Sequence, residues 1–230
     1  MQLAPRLNAA ADYVRQGAVL ADVGTDHAYL PIYLLLSSKI GFAHLSDINR
    51  GPLERARDNV IRNSLSDKVE YHLTSGASDL ASLGITDYAV CGMGGELIRD
   101  IISLAPHLFD EKINLVLQPM TKPEILREFL FENGFKILSE TFVLDEGKYY
   151  VVINARYSGE RQSFTRADLY LGKMDSFCMS EAAEGYLKQK AKTQDKVARG
   201  KEEGGLDSST ERELLLAINE RLSLFGSENK

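Results

Sequence analysis

The most constraining feature of this sequence is a rhythm. Up to about residue 155, short apolar runs at 18–23, 42–45, 69–73, 88–91 and 113–117 alternate with amphipathic stretches. Each run ends in small or polar residues. Short, nearly continuous apolar strands separated by helices predict a parallel sheet covered on both faces. The helical patterns fall at 7–14, 30–37, 52–63, 96–104 and 123–132. Pro52 and Pro123 sit where a first helical turn tolerates proline. Gly134 follows the last of these helices as a glycine beyond a helix end does. The rhythm then changes. Runs at 135–144 and 149–157 are both strand-like and are separated only by Asp145-Glu146-Gly147-Lys148, which predicts a β-hairpin. The expected fold is α/β and Rossmann-like, with a mostly parallel seven-stranded sheet ending in an antiparallel hairpin.

Composition narrows the class. An apolar fraction of 44% in 230 residues supports a core and excludes a disordered chain. Two cysteines in this length exclude a disulfide scaffold and suggest a reducing compartment. The longest apolar run, 28–36, is interrupted by Pro31 and falls far short of the ~20 residues that span a bilayer. The first residues lack a basic region followed by an apolar one, so no signal peptide is expected. These readings predict a cytoplasmic protein with no membrane contact. The net charge of −6 removes the overall basic bias of a simple nucleic-acid binder, although local charge can differ.

Beyond residue 157 the strand signals vanish. Apolar residues spaced three to four apart predict a long helix over 165–198, a turn around Gly204-Gly205, and a second helix over 210–225. The expected organisation is a sheet domain at 1–157 and a helical hairpin or coiled coil at 158–230. Lys188, Lys192, Lys196 and Arg199 form one basic stripe on the first tail helix. Such a stripe is either an ordinary solvated face or a track for nucleic-acid phosphates. Arg6 and Arg15 are further, weaker candidates for such contacts.

Ligands on open α/β sheets bind at the carboxyl ends of the strands. The first run is followed by Gly24, Thr25, Asp26 and His27 after Asp22, with Gly24 suited to a sharp turn close to a ligand. The second ends in Asp47, Ile48 and Asn49. Asp47 stands where an acidic side chain accepts hydrogen bonds from two ribose hydroxyls. The third leads into Gly76, Ala77, Ser78 and Asp79, small residues that leave room for a flat adenine. The fourth leads into Cys91, Gly92, Met93, Gly94 and Gly95. A dinucleotide site requires G-x-G-x-x-G, and position 26 is not glycine, so NAD and FAD are disfavoured. S-adenosylmethionine (SAM) has no pyrophosphate, and this set together with the terminal hairpin points to a SAM-dependent methyltransferase of class I. Cys91 lacks a nucleophilic context. The histidines at 44, 72 and 107 show no metal-ligand spacing, so no metal is expected.

The segments Asp22-Val23-Gly24-Thr25-Asp26-His27-Ala28-Tyr29-Leu30-Pro31, Ser46-Asp47-Ile48-Asn49, Cys91-Gly92-Met93-Gly94-Gly95 and Leu117-Gln118-Pro119 resemble the TrmK family of bacterial tRNA (adenine(22)-N1)-methyltransferases. The resemblance covers nearly the whole chain. It implies a Rossmann-like domain followed by a helical coiled-coil domain, SAM as methyl donor, and an adenine of the tRNA D-arm as target. The lone pair of adenine N1 is available at neutral pH, so positioning and desolvation are the main tasks. Asp26 is the first candidate for stabilising the cationic product, and His27 the second. Tyr29 is a candidate for stacking on the base. Plainer roles compete: Asp26 as a helix cap, His27 as a structural hydrogen-bonder, Tyr29 and Met93 as packing. A small-molecule methyltransferase and a non-catalytic tRNA-binding module are the alternative functions. A monomer or weak dimer is expected.

Overall fold

The computed structural model describes residues 2–225, so the last five residues of the expected tail segment lie outside the described residues. The strands are β1 (Val19–Val23), β2 (Phe42–Asp47), β3 (Val69–Leu73), β4 (Asp87–Gly94), β5 (Asn114–Thr121), β6 (Phe135–Asp145) and β7 (Lys148–Tyr157). The helices are α1 (Pro5–Tyr13), α2 (Tyr29–Leu36), α3 (Arg50–Arg62), α4 (Gly95–Ser103), α5 (Pro123–Glu132), α6 (Arg166–Leu171), α7 (Glu181–Glu203) and α8 (Ser209–Phe225). One seven-stranded sheet runs in the order β3-β2-β1-β4-β5-β7-β6. Only β7 opposes its neighbours in direction, pairing antiparallel with both β5 and β6. The predicted sheet and its terminal hairpin are therefore both present.

Two apolar layers explain the near-continuous apolar strands. On one face, Leu20, Ala43, Leu45, Ala89 and Val116 pack under α1, α2 and α3. On the other, Val23, Val90, Leu115 and Leu117 pack against Ile98 and Ile102 of α4 and Leu126 and Leu130 of α5. The order reverses at β1, where β2 and β4 flank it on either side, and this crevice opens at the strands' carboxyl ends. At the opposite ends, fully buried Asp87 receives the Arg15 backbone N–H (3.0 Å), Arg15 Nε (2.9 Å) and Asn114 Nδ2 (3.0 Å). Arg15 is thus engaged at the closed end of the sheet and contributes nothing to the rim.

The expected single helix over 165–198 is broken in the structure. Thr165 caps α6 through a reciprocal bond with Asp168, and α6 ends at Gly172, whose φ is +88°. A Cβ at Gly172 would lie 1.9 Å from Glu140 Oε2, so no larger residue fits without a shift. The segment after the break runs beside β6. Glu140 N–H donates to the Ser176 carbonyl (2.7 Å), and Cys178 N–H donates to the Glu140 carbonyl (3.0 Å). The Ser180 hydroxyl then accepts from Ala183 N–H and starts α7. Periodicity alone misses such a break, because the apolar spacing continues through it.

The tail helices share the main core. Leu171, Phe177, Ala183, Tyr186, Leu187 and Ile218 belong to the same apolar cluster as β4 and β5. Beneath them, Arg127 Nε donates to Glu140 Oε1 (2.7 Å), with both side chains fully buried. Arg127 also donates to the Leu169 carbonyl (2.8 Å), and Arg221 of α8 donates to the Gly172 carbonyl (2.6 Å). Burial pushes the Glu140 carboxyl up, against the pull of the Arg127 guanidinium. Between α7 and α8, Arg212 bonds Glu202 (2.7 Å) and Lys201 bonds Glu211 (2.7 Å) across the Gly204-Gly205 turn.

Candidate cofactor and substrate site

The site is assembled from the loops that follow β1, β2, β3 and β4. After β1, Gly24 takes a φ of +78°, and the N–H groups of Gly24 and Thr25 both donate to the Ser46 carbonyl of β2 (2.8 and 3.0 Å). This pins the first loop to the neighbouring strand and brings Gly24 against Met93. A Cβ there would meet Met93 Cε at 1.8 Å. Met93 reaches this position because β4 shifts register against β5 between Cys91 and Gly94. Gly92, with a φ of +80°, forms part of that bulge, and its N–H donates to Gln118 Oε1 (3.1 Å).

Two cavities adjoin at Gly24. The first, of about 220 Å³, lies between the β2, β3 and β4 ends and α4. Its lining includes Asp47, Ile48, Gly76, Ala77, Ser78 and Met93, all singled out from the sequence. Its far wall is Leu97, Ile101 and Leu104, with Asp100 beside them. Asp47 Oδ1 accepts from Asn49 N–H (2.7 Å), which fixes the carboxylate at the end of β2. Asn49 itself lines neither cavity; its backbone orients Asp47. Asp79 accepts from the Thr74 hydroxyl and braces the loop from below.

The second cavity, of about 310 Å³, is lined by Asp22, Thr25, Asp26, His27, Tyr29 and Gly92, with Arg6 and Cys91 at its edge. Asp22 is buried, and burial pushes its carboxyl up to about 6; nearby Asp47 adds to the rise and the Thr25 hydroxyl opposes it. Burial likewise pushes the Cys91 thiol up, which suits an inert packing role. Asp26 is exposed and pairs with Arg55 of α3 through Nε (2.8 Å) and a second guanidinium nitrogen. It does not cap α2: Ala28 holds that position in a left-handed conformation, without a side-chain cap. His27 Nε2 lies 3.3 Å from Asp26 Oδ2, and the His27 and Tyr29 rings stack at 5.1 Å. The two rings form a half-open aromatic ledge beside the carboxylate.

Gly94 lines neither cavity. It sits ahead of α4, and a Cβ there would press on Thr121 Oγ1 at 3.2 Å, so its small size serves packing. Sequence reading did not anticipate Arg55 or the apolar wall of α4. The wall was detectable, because Leu97, Ile101 and Leu104 repeat at helical spacing. Arg55 carried no local signal. Arg6 pairs with Asp145 at the hairpin turn. Among the described residues, neither cavity gathers His, Cys and carboxylate donors close enough for a metal ion.

The lining suits an adenosyl sulfonium. A flat apolar slot ends in a fixed carboxylate, and a second, acidic recess adjoins it at Gly24. A methyltransferase domain family matches residues 3–153. The tRNA (adenine(22)-N(1))-methyltransferase of Bacillus subtilis strain 168 is 31% identical over 163 residues, covering 71% of this chain and 68% of that protein. The chain belongs to the TrmK family of tRNA (adenine(22)-N1)-methyltransferases. A Streptococcus agalactiae protein of the NADB-Rossmann superfamily superimposes with a TM-score of 0.84 at 28% identity, over 96% of this chain and 98% of that one. TrmK of M. capricolum, solved with S-adenosylhomocysteine, superimposes with a TM-score of 0.76 at 25% identity, over 97% and 96%. No helix among the described residues is long and apolar enough to cross a membrane.

Proposed function

We infer that this chain transfers the methyl group of SAM to N1 of adenine 22 in tRNA. The observation that carries the reading is the pair of cavities adjoining at Gly24, one apolar and closed by Asp47, the other acidic and floored by Asp22. SAM supplies an electrophilic methyl carbon on a sulfonium that departs as a neutral thioether. Asp47 accepts hydrogen bonds from the two ribose hydroxyls. Ala77, Leu97, Ile101 and Leu104 enclose the adenine of the donor. Asp22 holds its negative charge toward the cationic half of the ligand, in a setting where water cannot screen it. Gly24 and Gly92 let the backbone approach closely.

The target adenine needs no base to make its N1 lone pair available, so the chain's work is to present that edge. The ledge of His27 and Tyr29 stacks on the flipped base. Transfer leaves a positive charge on the adenine, and the carboxylate of Asp26, oriented by Arg55, stabilises it. Lys188, Lys192, Lys196 and Arg199 contact tRNA phosphates along α7. Because its substrate is tRNA, the protein acts in the cytoplasm.

Incubation with labelled SAM and an unmodified tRNA transcript tests the reading, with the product mapped by digestion. Label on N1 of adenine 22 is the expected result. Absence of incorporation into any adenine of a set of transcripts would reject it. In the same protein, Asp47→Ala weakens SAM binding by about 1.5–3 kcal/mol in calorimetry, the range for a hydrogen bond to a charged group.

A further inference from the structure

The sheet has one outer corner that the methyl-transfer reading leaves unused. Between β3 and β4 the chain makes only a single 3-10 turn, Ser78–Leu80, where the other connections outside the terminal hairpin carry an α-helix. The helix that packs on β2 and β3 is α3, and it lies on the face of Ala43, Leu45 and Val69. On the opposite face, parallel pairing sets His44 beside Glu70 and Ser46 beside His72. The side chains of His44, Glu70 and His72 therefore leave the sheet together. His44 Nδ1 lies 3.0 Å from His72 Nε2 and 3.6 Å from Glu70 Oε2. One donor atom from each of the three residues falls within 4.8 Å of the others.

We propose that His44, Glu70 and His72 form a binding site for a zinc-class divalent transition-metal cation. A zinc ion held by nitrogen and oxygen at ~2.0–2.2 Å in tetrahedral geometry sets neighbouring donors about 3.3 Å apart. The observed separations of 3.0 and 3.6 Å bracket that value. Two imidazoles and one carboxylate form a donor set suited to zinc, cobalt or nickel, and poorly suited to magnesium or calcium. His44 is only 5% exposed and packs edge-on against Phe42 at 5.2 Å, so the site has a dry, rigid side. Three protein donors leave a fourth position for water.

The site has a structural consequence. The edge strand β3 is joined to the sheet through β2 alone. A cation shared by the two strands ties them together. His44 lies three residues before Asp47, and His72 two residues before Thr74, both of which line the first cavity. The bound ion therefore stiffens the base of the nucleoside slot without touching its contents.

The test uses tag-free, chelator-treated full-length protein. Calorimetric titration with zinc chloride gives one saturable equivalent and a raised melting temperature. His72→Gln and Glu70→Gln change partly or fully exposed side chains, and circular dichroism checks that they fold. His72→Gln weakens zinc binding roughly tenfold or more, as losing even an outer partner of a metal site does. Cobalt bound to the unmodified chain gives visible ligand-field bands without thiolate charge transfer, a readout that depends on no variant. Absent saturable binding, unchanged affinity in folded His72→Gln, or thiolate bands pointing to Cys91 or Cys178 would each overturn the proposal.

Discussion

Asp22 and Glu140 are both buried carboxylates, and they stand in opposite situations. Glu140 lies at the seam between sheet and tail, its carboxylate bonded to a fully buried guanidinium and its backbone to the segment that follows Gly172. Asp22 lies at the strand-end rim, with Asp47 as its nearby charge and, among the described residues, no cation paired to it. A buried charge that carries its partner belongs to the architecture. One without a partner raises the cost of the empty site and offers that energy to a cationic ligand. The two ends of the molecule thus use the same chemical group for cohesion and, on the proposed function, for recognition.

The largest expected effect sharpens the cohesive half of the contrast. Glu140→Ala leaves Arg127 charged and unpaired in the core, and costs about 3–5 kcal/mol in denaturant unfolding. A loss below 1 kcal/mol would show that the seam is solvated, and would break the comparison.

Asp22 gives the next effect, and its sign is opposite. Its folded value, about 6, lies above the unfolded value near 3.8. The stability it contributes is therefore fully present below pH 4 and is lost as pH rises through 6, by about 3 kcal/mol in the free protein. Asp22→Asn removes this slope and stabilises the free protein at pH 8. A cation beside Asp22 favours the ionised form, so SAM affinity falls about tenfold from pH 7 to pH 5. Calorimetry across that range reads the fall, and Asp22→Asn flattens it. An equal fall in the variant would assign the titration to another group.

The smallest effect concerns exposed cations on the tail. Lys188 is paired with Glu184 and Arg199 with Asp195 on their own helix, while no ion pair is found for Lys192 or Lys196 among the described residues. Lys192→Ala and Lys196→Ala each lower tRNA affinity slightly and reduce the salt slope by about one. Lys188→Ala does less. Filter binding across a salt series separates them, and identical slopes for all variants would leave the stripe as solvated surface.

Much of the sheet was readable in the chain because burial on both faces writes itself as continuous apolar runs. The hairpin announced itself through Asp145-Glu146-Gly147-Lys148. Much of the lining of the first strand-end cavity was readable because strand ends are marked by glycines and acids. What escaped depends on register between distant segments. The pairing of Asp26 with Arg55 needs α3 laid across the first loop. The approach of His44 to His72 needs β2 and β3 aligned residue by residue. The break after α6 is set by Glu140, 32 positions upstream of Gly172, and a three-to-four spacing continues across it undisturbed.

The space over Gly24, where the two strand-end cavities adjoin, is occupied by the tip of Met93. A thioether on an unbranched stem pivots about single bonds at little cost. Joining the two recesses into one continuous channel is then a matter of a rotamer change at a single residue, with every strand of the sheet left where it stands.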